Sequence, residues 1–226
     1  MPANLLSMTS VLYNRFMATK STKKNVVKKK WSFEKAYTYL LIIGSAIGLL
    51  MAFIITVEKI HLIQDPSYVP ECSINPIISC GNIMKSEQAG VFGFPNPLIG
   101  LMGFSVTLTI GMAMLAGAKF KRWFWLGLQL GTILGVLFCM WLFHEAVYEI
   151  GSLCPYCIVV WAVTIPMFLY TTIWNIRNGF IVIKNKTAKQ VADFVGRHHG
   201  DILFSWYLLI FLAIATRFWY YWKTLI

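Results

Sequence analysis

The chain has 226 residues, 58% of them hydrophobic and only 13% charged, with a formal net charge of +11 at pH 7. That balance excludes an ordinary soluble domain. It also leaves no reason to read the positive charge as affinity for nucleic acid, since no aromatic or motif-like pattern accompanies the lysines.

In chain order, the first feature is a basic leading segment over residues 1–35, with Arg15, Lys20, Lys23, Lys24, Lys28, Lys29, Lys30 and Lys35 and no acid before Glu34. Its composition favours disorder beside an anionic lipid surface. Five apolar stretches follow, each near the roughly 20 residues that cross a bilayer: Ala36 to Val57, Pro97 to Ala118, Trp123 to Phe143, Pro155 to Trp174 and Leu203 to Tyr221. The apolar core of the first is too long for a removable signal peptide, so it is expected to remain as an anchor. Hydrocarbon offers no partners to the backbone of an open strand, so the fold class is all-α with five transmembrane helices.

Charge orients the spans, because Lys and Arg accumulate in short cytoplasmic connections. Lys119, Lys121 and Arg122 lie between the second and third spans, and Arg177, Lys184, Lys186, Lys189 and Arg197 lie between the fourth and fifth, in the connection 175–202. The other two connections, 58–96 and 144–154, carry Lys59 and Lys85 against Glu58, Asp65, Glu71, Glu87, Glu145 and Glu149. The N-terminus is therefore expected in the cytoplasm, the two acidic connections outside, and the membrane to be the inner or plasma membrane. Thr187 to Val195 has the pattern of a short amphipathic helix. Gly44 and Gly48 in the first span, and Gly127, Gly131 and Gly135 in the third, are expected to let backbones touch within the bundle, although a homodimer face would use them equally well. Trp123, Trp125, Trp174, Trp219 and Trp222 are expected at the interfaces.

Chemistry enters with the five cysteines, Cys72, Cys80, Cys139, Cys154 and Cys157. By the charge argument Cys72, Cys80, Cys154 and Cys157 face the oxidising side, where disulfides persist. Cys154-Pro155-Tyr156-Cys157 puts two thiols on one face at a helix start, where Pro155 suits the first turn and the helix N-terminus favours a thiolate on Cys154. Cys72 and Cys80 lie in a stretch with Pro66, Pro70, Pro76, Gly81, Gly90 and Gly93 and fit the part of a mobile exchanging pair, with a short helix between Gly81 and Gly90. Two alternatives stand beside that reading. The pairs can be structural disulfides of a membrane scaffold or small transporter. Four thiolates can also hold zinc, although the seven residues between Cys72 and Cys80 are not the usual finger or ribbon spacing. Cys139, alone in the third span, reads as a small buried filler. His144, Glu145 and Glu149 are candidate proton relays, each also explicable as a solvated interfacial group.

Glu71-Cys72, then Cys80, then Phe92-Gly93-Phe94-Pro95-Asn96, then Cys154-Pro155-Tyr156-Cys157 resemble the vitamin K epoxide reductase family in order, spacing and topology, over roughly Ala36 to Trp174. The resemblance implies a four-helix catalytic domain at 36–174, whose external loop is 58–96, with a fifth helix and short tail at 203–226. It further implies a quinone-dependent protein-disulfide oxidoreductase supporting disulfide bond formation. In that scheme Cys72 exchanges with a partner's cysteine, Cys80 exchanges with Cys154, Cys157 lies against the quinone, and Asn96 hydrogen-bonds a quinone carbonyl. The acceptor would be ubiquinone, menaquinone or a related quinone. Vertebrate members carry tyrosine four residues after the second cysteine of C-x-x-C; Trp161 stands there in this chain. It can stack on a quinone ring but supplies no hydroxyl, which makes quinone a better expectation than the epoxide. Many bacterial relatives continue into a fused thioredoxin-like domain, whereas this chain stops at Ile226, so the partner is expected to be a separate extracytoplasmic thioredoxin-fold protein of the DsbA kind. A DsbB-type oxidase would run nearly the same reaction; the long first external loop and the single C-x-x-C opening the fourth span favour the family named here.

Overall fold

The computed structural model describes residues 33–223, Trp222 by its backbone alone, and the expectation of disorder over residues 1–35 lies outside the described residues but for its last three. The helices are α1 (Ala3–Gln64), α2 (Cys80–Lys85), α3 (Pro97–Leu115), α4 (Arg122–His144), α5 (Pro155–Arg177), α6 (Lys186–Arg197), α7 (His199–Arg217) and α8 (Trp219–Trp222). A 3-10 turn over Glu87–Gly90 follows α2, and a π-helical turn over Glu145–Ile150 extends α4. Five of these segments are long and apolar enough to cross a membrane: Phe33–Gln64, Pro97–Leu115, Arg122–Ile150, Pro155–Arg177 and His199–Arg217.

Two ends differ from the sequence reading. α1 continues to Gln64 rather than stopping near Val57, so Glu58 and Lys59 belong to the helix and irregular chain begins at Asp65. The third span continues through Glu145–Ile150 until Gly151, whose φ of 67° is the left-handed conformation that ends a helix. In both places polar residues were read as loop, but a helix that leaves the bilayer gains hydrogen bonds by continuing into water.

The bundle is α1, α3, α4 and α5. α1 packs along α3 and α5, and α5 packs along α4. Tyr37, Leu41, Phe104, Trp125, Met167 and Trp174 form its apolar centre, separate from the cluster that holds the cysteines. Most polar side chains inside the bundle are paired, as a low-dielectric interior favours, although Trp174 Nε1 and Asn175 Oδ1 have no hydrogen-bond partner. Tyr37 and Thr171 share a 2.9 Å hydroxyl bond, Ser45 and Thr107 a 2.7 Å one, and Asn175 Nδ2 donates to Gln129 Oε1 at 3.0 Å. Trp125 and Trp174 thus leave the expected interface: they are buried against each other and Tyr37 because the aromatic cluster stabilises more when desolvated. Trp123 and Trp219 are exposed, and the Trp222 side chain lies outside the described residues.

The glycines divide. A Cβ on Gly48 would stand 2.5 Å from the Phe104 ring and one on Gly111 2.8 Å from Ile42 Cγ1, so α1 and α3 touch through glycine. Gly44 and Gly135 sit at ordinary distance from Met167 and Thr164 on α5. Gly127 and Gly131 correct the expectation of close packing: a Cβ on either would meet nothing within 4 Å, because both face a cavity rather than a helix. α7 stands outside the bundle against α5 and the π-helical turn, with none of its residues buried. α6 is the amphipathic helix expected from the sequence, with Asn185 Oδ1 accepting from the Thr187 N–H at its start.

Candidate functional site

The site begins with a short parallel pairing between two loops. Ile78 and Leu153 form an isolated β-bridge, in which the Ser79 N–H donates to the Leu153 carbonyl at 3.0 Å and the Leu153 N–H to the Ile77 carbonyl at 2.7 Å. Cys80 is two residues beyond one partner and Cys154 one residue beyond the other, so the pairing sets the two sulfurs beside each other. Local bonds hold each loop to that register. Asn75 Oδ1 accepts from the N–H groups of Ile77 and Ile78, and Asn82 Nδ2 donates to Ser152 Oγ at 2.9 Å. The Ser79 hydroxyl caps α2 through the Asn82 N–H, starting the helix at Cys80. Beneath the bridge, Phe218 after α7 is fully buried against Ile77, Val147 and Leu153. Sequence reasoning placed Trp219 and Trp222 at an interface but assigned no role to Phe218; an aromatic directly after Arg217 was its only signal.

Cys72 and Cys80 are joined in a disulfide with Cα atoms 5.6 Å apart, and Cys80 Sγ lies 3.2 Å from Cys154 Sγ. The sulfurs of Cys72, Cys80 and Cys154 all lie within 4.8 Å of one another. With two of the three covalently joined, that triangle is poised for thiol-disulfide exchange, in which a thiolate approaches one sulfur of a disulfide and displaces the other. Cys72 is only 4% exposed, under Tyr68, whose hydroxyl donates to Glu58 Oε2 at 3.1 Å. The outer pair therefore sits in a fastened segment in this state.

Cys154 is the N-cap of α5, and its sulfur accepts the Cys157 N–H at 3.4 Å. Pro155 follows at the first helical position, as the sequence led us to expect. The Cys157 thiol, donating to Cys154 sulfur, holds the Cys154 pKa below its ordinary value; burial opposes this, and the backbone N–H groups of Cys157 and Tyr156 assist it. This hydrogen-bonded Cys154 has thiolate character, which in thiol-disulfide exchange also makes it a good leaving sulfur.

Below the cysteines lies a cavity of about 1050 Å³, lined by Cys154, Cys157, Asn96, Trp161 and Cys139 among others and reaching down past Gly131. α3 and α4 face each other across it. Its lining is overwhelmingly apolar, with a few polar groups at the outer end, the usual form of a site for a largely apolar small molecule. Asn96 is buried there; its Nδ2 donates to the Gln88 carbonyl at 2.6 Å, while Oδ1 has no hydrogen-bond partner. An unpaired buried amide oxygen is costly unless something else binds it. Trp161 is buried edge-on to Phe143, with centroids 5.4 Å apart. Cys139 is buried as expected, yet it also borders the cavity beside Cys157.

The structure thus brings together Cys72, Cys80 and Cys154 in one cluster, and Cys157, Asn96 and Trp161 on one cavity, with Cys154 and Cys157 touching both. The family model described as the vitamin K epoxide reductase family matches residues 39–172, more than half of the chain. No curated protein matches it. The chain belongs to the vitamin K epoxide reductase family, and is a multi-pass membrane protein of that family of redox enzymes.

Proposed function

We propose that this member of the vitamin K epoxide reductase family reoxidises a separate extracytoplasmic thioredoxin-fold protein and delivers the electrons to a membrane quinone. The observation that carries this reading is the 3.2 Å approach of Cys154 Sγ to Cys80 Sγ, which links the outer disulfide to a second dithiol whose other member, Cys157, lines a large apolar cavity.

In this reading the partner's thiolate attacks Cys72, which becomes reachable when the segment under Tyr68 lifts, and the partner leaves with its own disulfide formed. Cys72 and Cys80 are then thiols. Cys80 attacks Cys154, the Cys154–Cys157 bond breaks, and a second displacement by Cys72 restores the Cys72–Cys80 bond, leaving Cys154 and Cys157 reduced. Outer pair closed and inner pair reduced is the distribution in the structure. The residues that fit a quinone ring are Asn96, with an unpaired buried amide oxygen and a second N–H to offer, Cys157 and Trp161. A bound quinone would supply the two-electron acceptor that regenerates the inner disulfide. The acidic outer connections and basic inner ones orient this chemistry away from the cytoplasm, with the N-terminus inside.

The test is quinone reduction by the purified full chain, given a reduced thioredoxin-fold protein and either ubiquinone or menaquinone. Turnover should vanish in Cys72→Ala, Cys80→Ala, Cys154→Ala and Cys157→Ala. A wild type that reduces no quinone with any such partner would return the protein to a scaffold with structural disulfides.

A further inference from the structure

Oxidation of Cys154 and Cys157 to a disulfide releases two electrons and two protons, and reduction of a quinone to a quinol takes up two of each. Cys154 caps α5 at the loop end of the cavity, and the Cys157 thiol holds its pKa below the ordinary value, which favours loss of its proton toward the loops rather than into the apolar space. A proton must therefore return from the outside to the apolar cavity. The lining of that cavity contains one carboxylate among the described residues, Glu145.

Three features make Glu145 unlike a solvated interfacial acid. Its side chain is 16% exposed, whereas His144 beside it is 57% exposed, with His144 Nδ1 4.0 Å from Glu145 Oε1. It opens the π-helical turn Glu145–Ile150, an irregularity that re-aims side chains and recurs at functional sites. Its Oε2 accepts from Gln88 Nε2 at 3.2 Å, and the carbonyl of the same Gln88 accepts from Asn96 Nδ2 at 2.6 Å. The carboxyl is therefore fixed, through one intervening residue, to the amide that borders the cavity beside Cys157. Glu149 on the same turn is exposed and does not line the cavity.

We infer that Glu145 is a catalytic residue of this site: its carboxyl donates a proton into the cavity at the end where Asn96 and Cys157 meet, and is reprotonated from external water through His144. The inference rests on the quinone-reducing function proposed above. The balance closes: the S–S bond of Cys154 and Cys157 forms, two electrons leave the sulfurs, and two protons leave the thiols. One proton enters the cavity from Glu145 and is replaced through His144, and the other comes from the Cys157 thiol. The other titratable groups bordering the cavity are Lys59 on α1, whose ammonium donates to the Met84 carbonyl, and Cys139 on α4, with Cys154 and Cys157 at the head of α5. Lys59 is the competitor for the same task.

The experiment follows one turnover of the full chain in lipid, starting with Cys154 and Cys157 reduced, across a pH series in wild type, Glu145→Gln, Glu145→Asp and Lys59→Met. Quinone reduction in wild type, which consumes protons, should slow toward alkaline pH. Glu145→Gln, which keeps an acceptor for Gln88, should be about 100-fold slower with that pH dependence gone, the scale of a lost general acid. Glu145→Asp should restore part of both. His144→Ala should be slowed and rescued by added imidazole, with no rescue in Glu145→Gln. Independently of turnover, infrared difference spectra should show a carboxylic band that shifts when a redox-inert quinone analogue binds and that Glu145→Gln lacks. Wild-type rate and pH profile in Glu145→Gln, or loss of the pH dependence in Lys59→Met instead, would overturn the assignment. Failure of the functional reading itself looks different: wild type would then leave the quinone oxidised at every pH, although exchange between the two cysteine pairs proceeds.

Discussion

The outer platform and the cavity beneath it are built on opposite principles. Around the cysteines nearly every loop residue is tied down, by the Ile78–Leu153 bridge, the Asn75 and Ser152 hydrogen bonds and the Phe218 plug. A few residues deeper, α3 and α4 face each other across empty space, and Gly127 and Gly131 touch nothing on that side. Sulfur exchange requires atoms set to tenths of an ångström, while a diffusing acceptor requires room to arrive and leave. One bundle meets both demands by placing rigidity in hydrogen-bonded loops and openness between helices.

The largest break in that contrast should come from removing the plug. Phe218→Ala empties a fully buried aromatic site under the bridge, and such truncations cost about 3–5 kcal/mol. We expect a lowered thermal unfolding midpoint and slower exchange between Cys80 and Cys154, read by trapping with an alkylating agent. Unchanged stability would mean that the fifth span does not support the platform.

Leu153→Pro attacks the same platform through one atom. Proline removes the N–H that donates to the Ile77 carbonyl at 2.7 Å. Misplacement of reacting atoms by about 1 Å costs on the order of 100-fold in rate. Exchange between the pairs should fall by about that factor, while the inner pair alone still passes electrons to an acceptor.

The two kinds of glycine should respond with opposite sign. Gly48→Ala pushes a Cβ into the Phe104 ring and should destabilise by about 1–3 kcal/mol. Gly131→Ala adds a methyl over open space and gains helix propensity, up to about 1 kcal/mol. Thermal unfolding of the two variants, measured in the same detergent, decides the matter. Equal losses would show that α4 closes on α3 in solution.

How much of this could be read from the chain varies with the physical scale of each feature. The five spans follow from apolar run length, and the pairing of Cys154 with the head of α5 follows from proline and cysteine spacing within one turn. The Ile78–Leu153 bridge could not be read, because two residues 75 positions apart with no repeating pattern leave no local signal. Gly127 and Gly131 carry the same small-residue spacing as Gly44 and Gly48, and only tertiary placement separates a packed glycine from one over a void. Glu145 looked like an interfacial acid because His144, Glu145 and Glu149 interrupt the apolar run after Phe143, although Ala146, Val147 and Ile150 continue it.

The smallest effect concerns charge rather than packing, and it sharpens the platform side of the contrast. Cys154 owes its lowered pKa first to the Cys157 thiol and next to backbone N–H groups, against burial. An acid whose folded pKa is depressed holds its anion at a pH where the unfolded chain does not. The associated stability is present above the unfolded value and lost as pH falls through the folded one. Thiolate ultraviolet absorbance should therefore disappear below the ordinary thiol range in the wild-type protein. Cys157→Ser keeps a hydroxyl donor and should retain most of that depression. Cys157→Ala removes the donor but leaves the N–H at 3.4 Å, so the midpoint should move upward, with burial then opposed only by the backbone N–H groups. If Cys157→Ala left the midpoint in place, the helix start alone would set the thiolate character of Cys154, and the hydrogen bond between the two thiols would be a consequence of their spacing rather than a cause of reactivity.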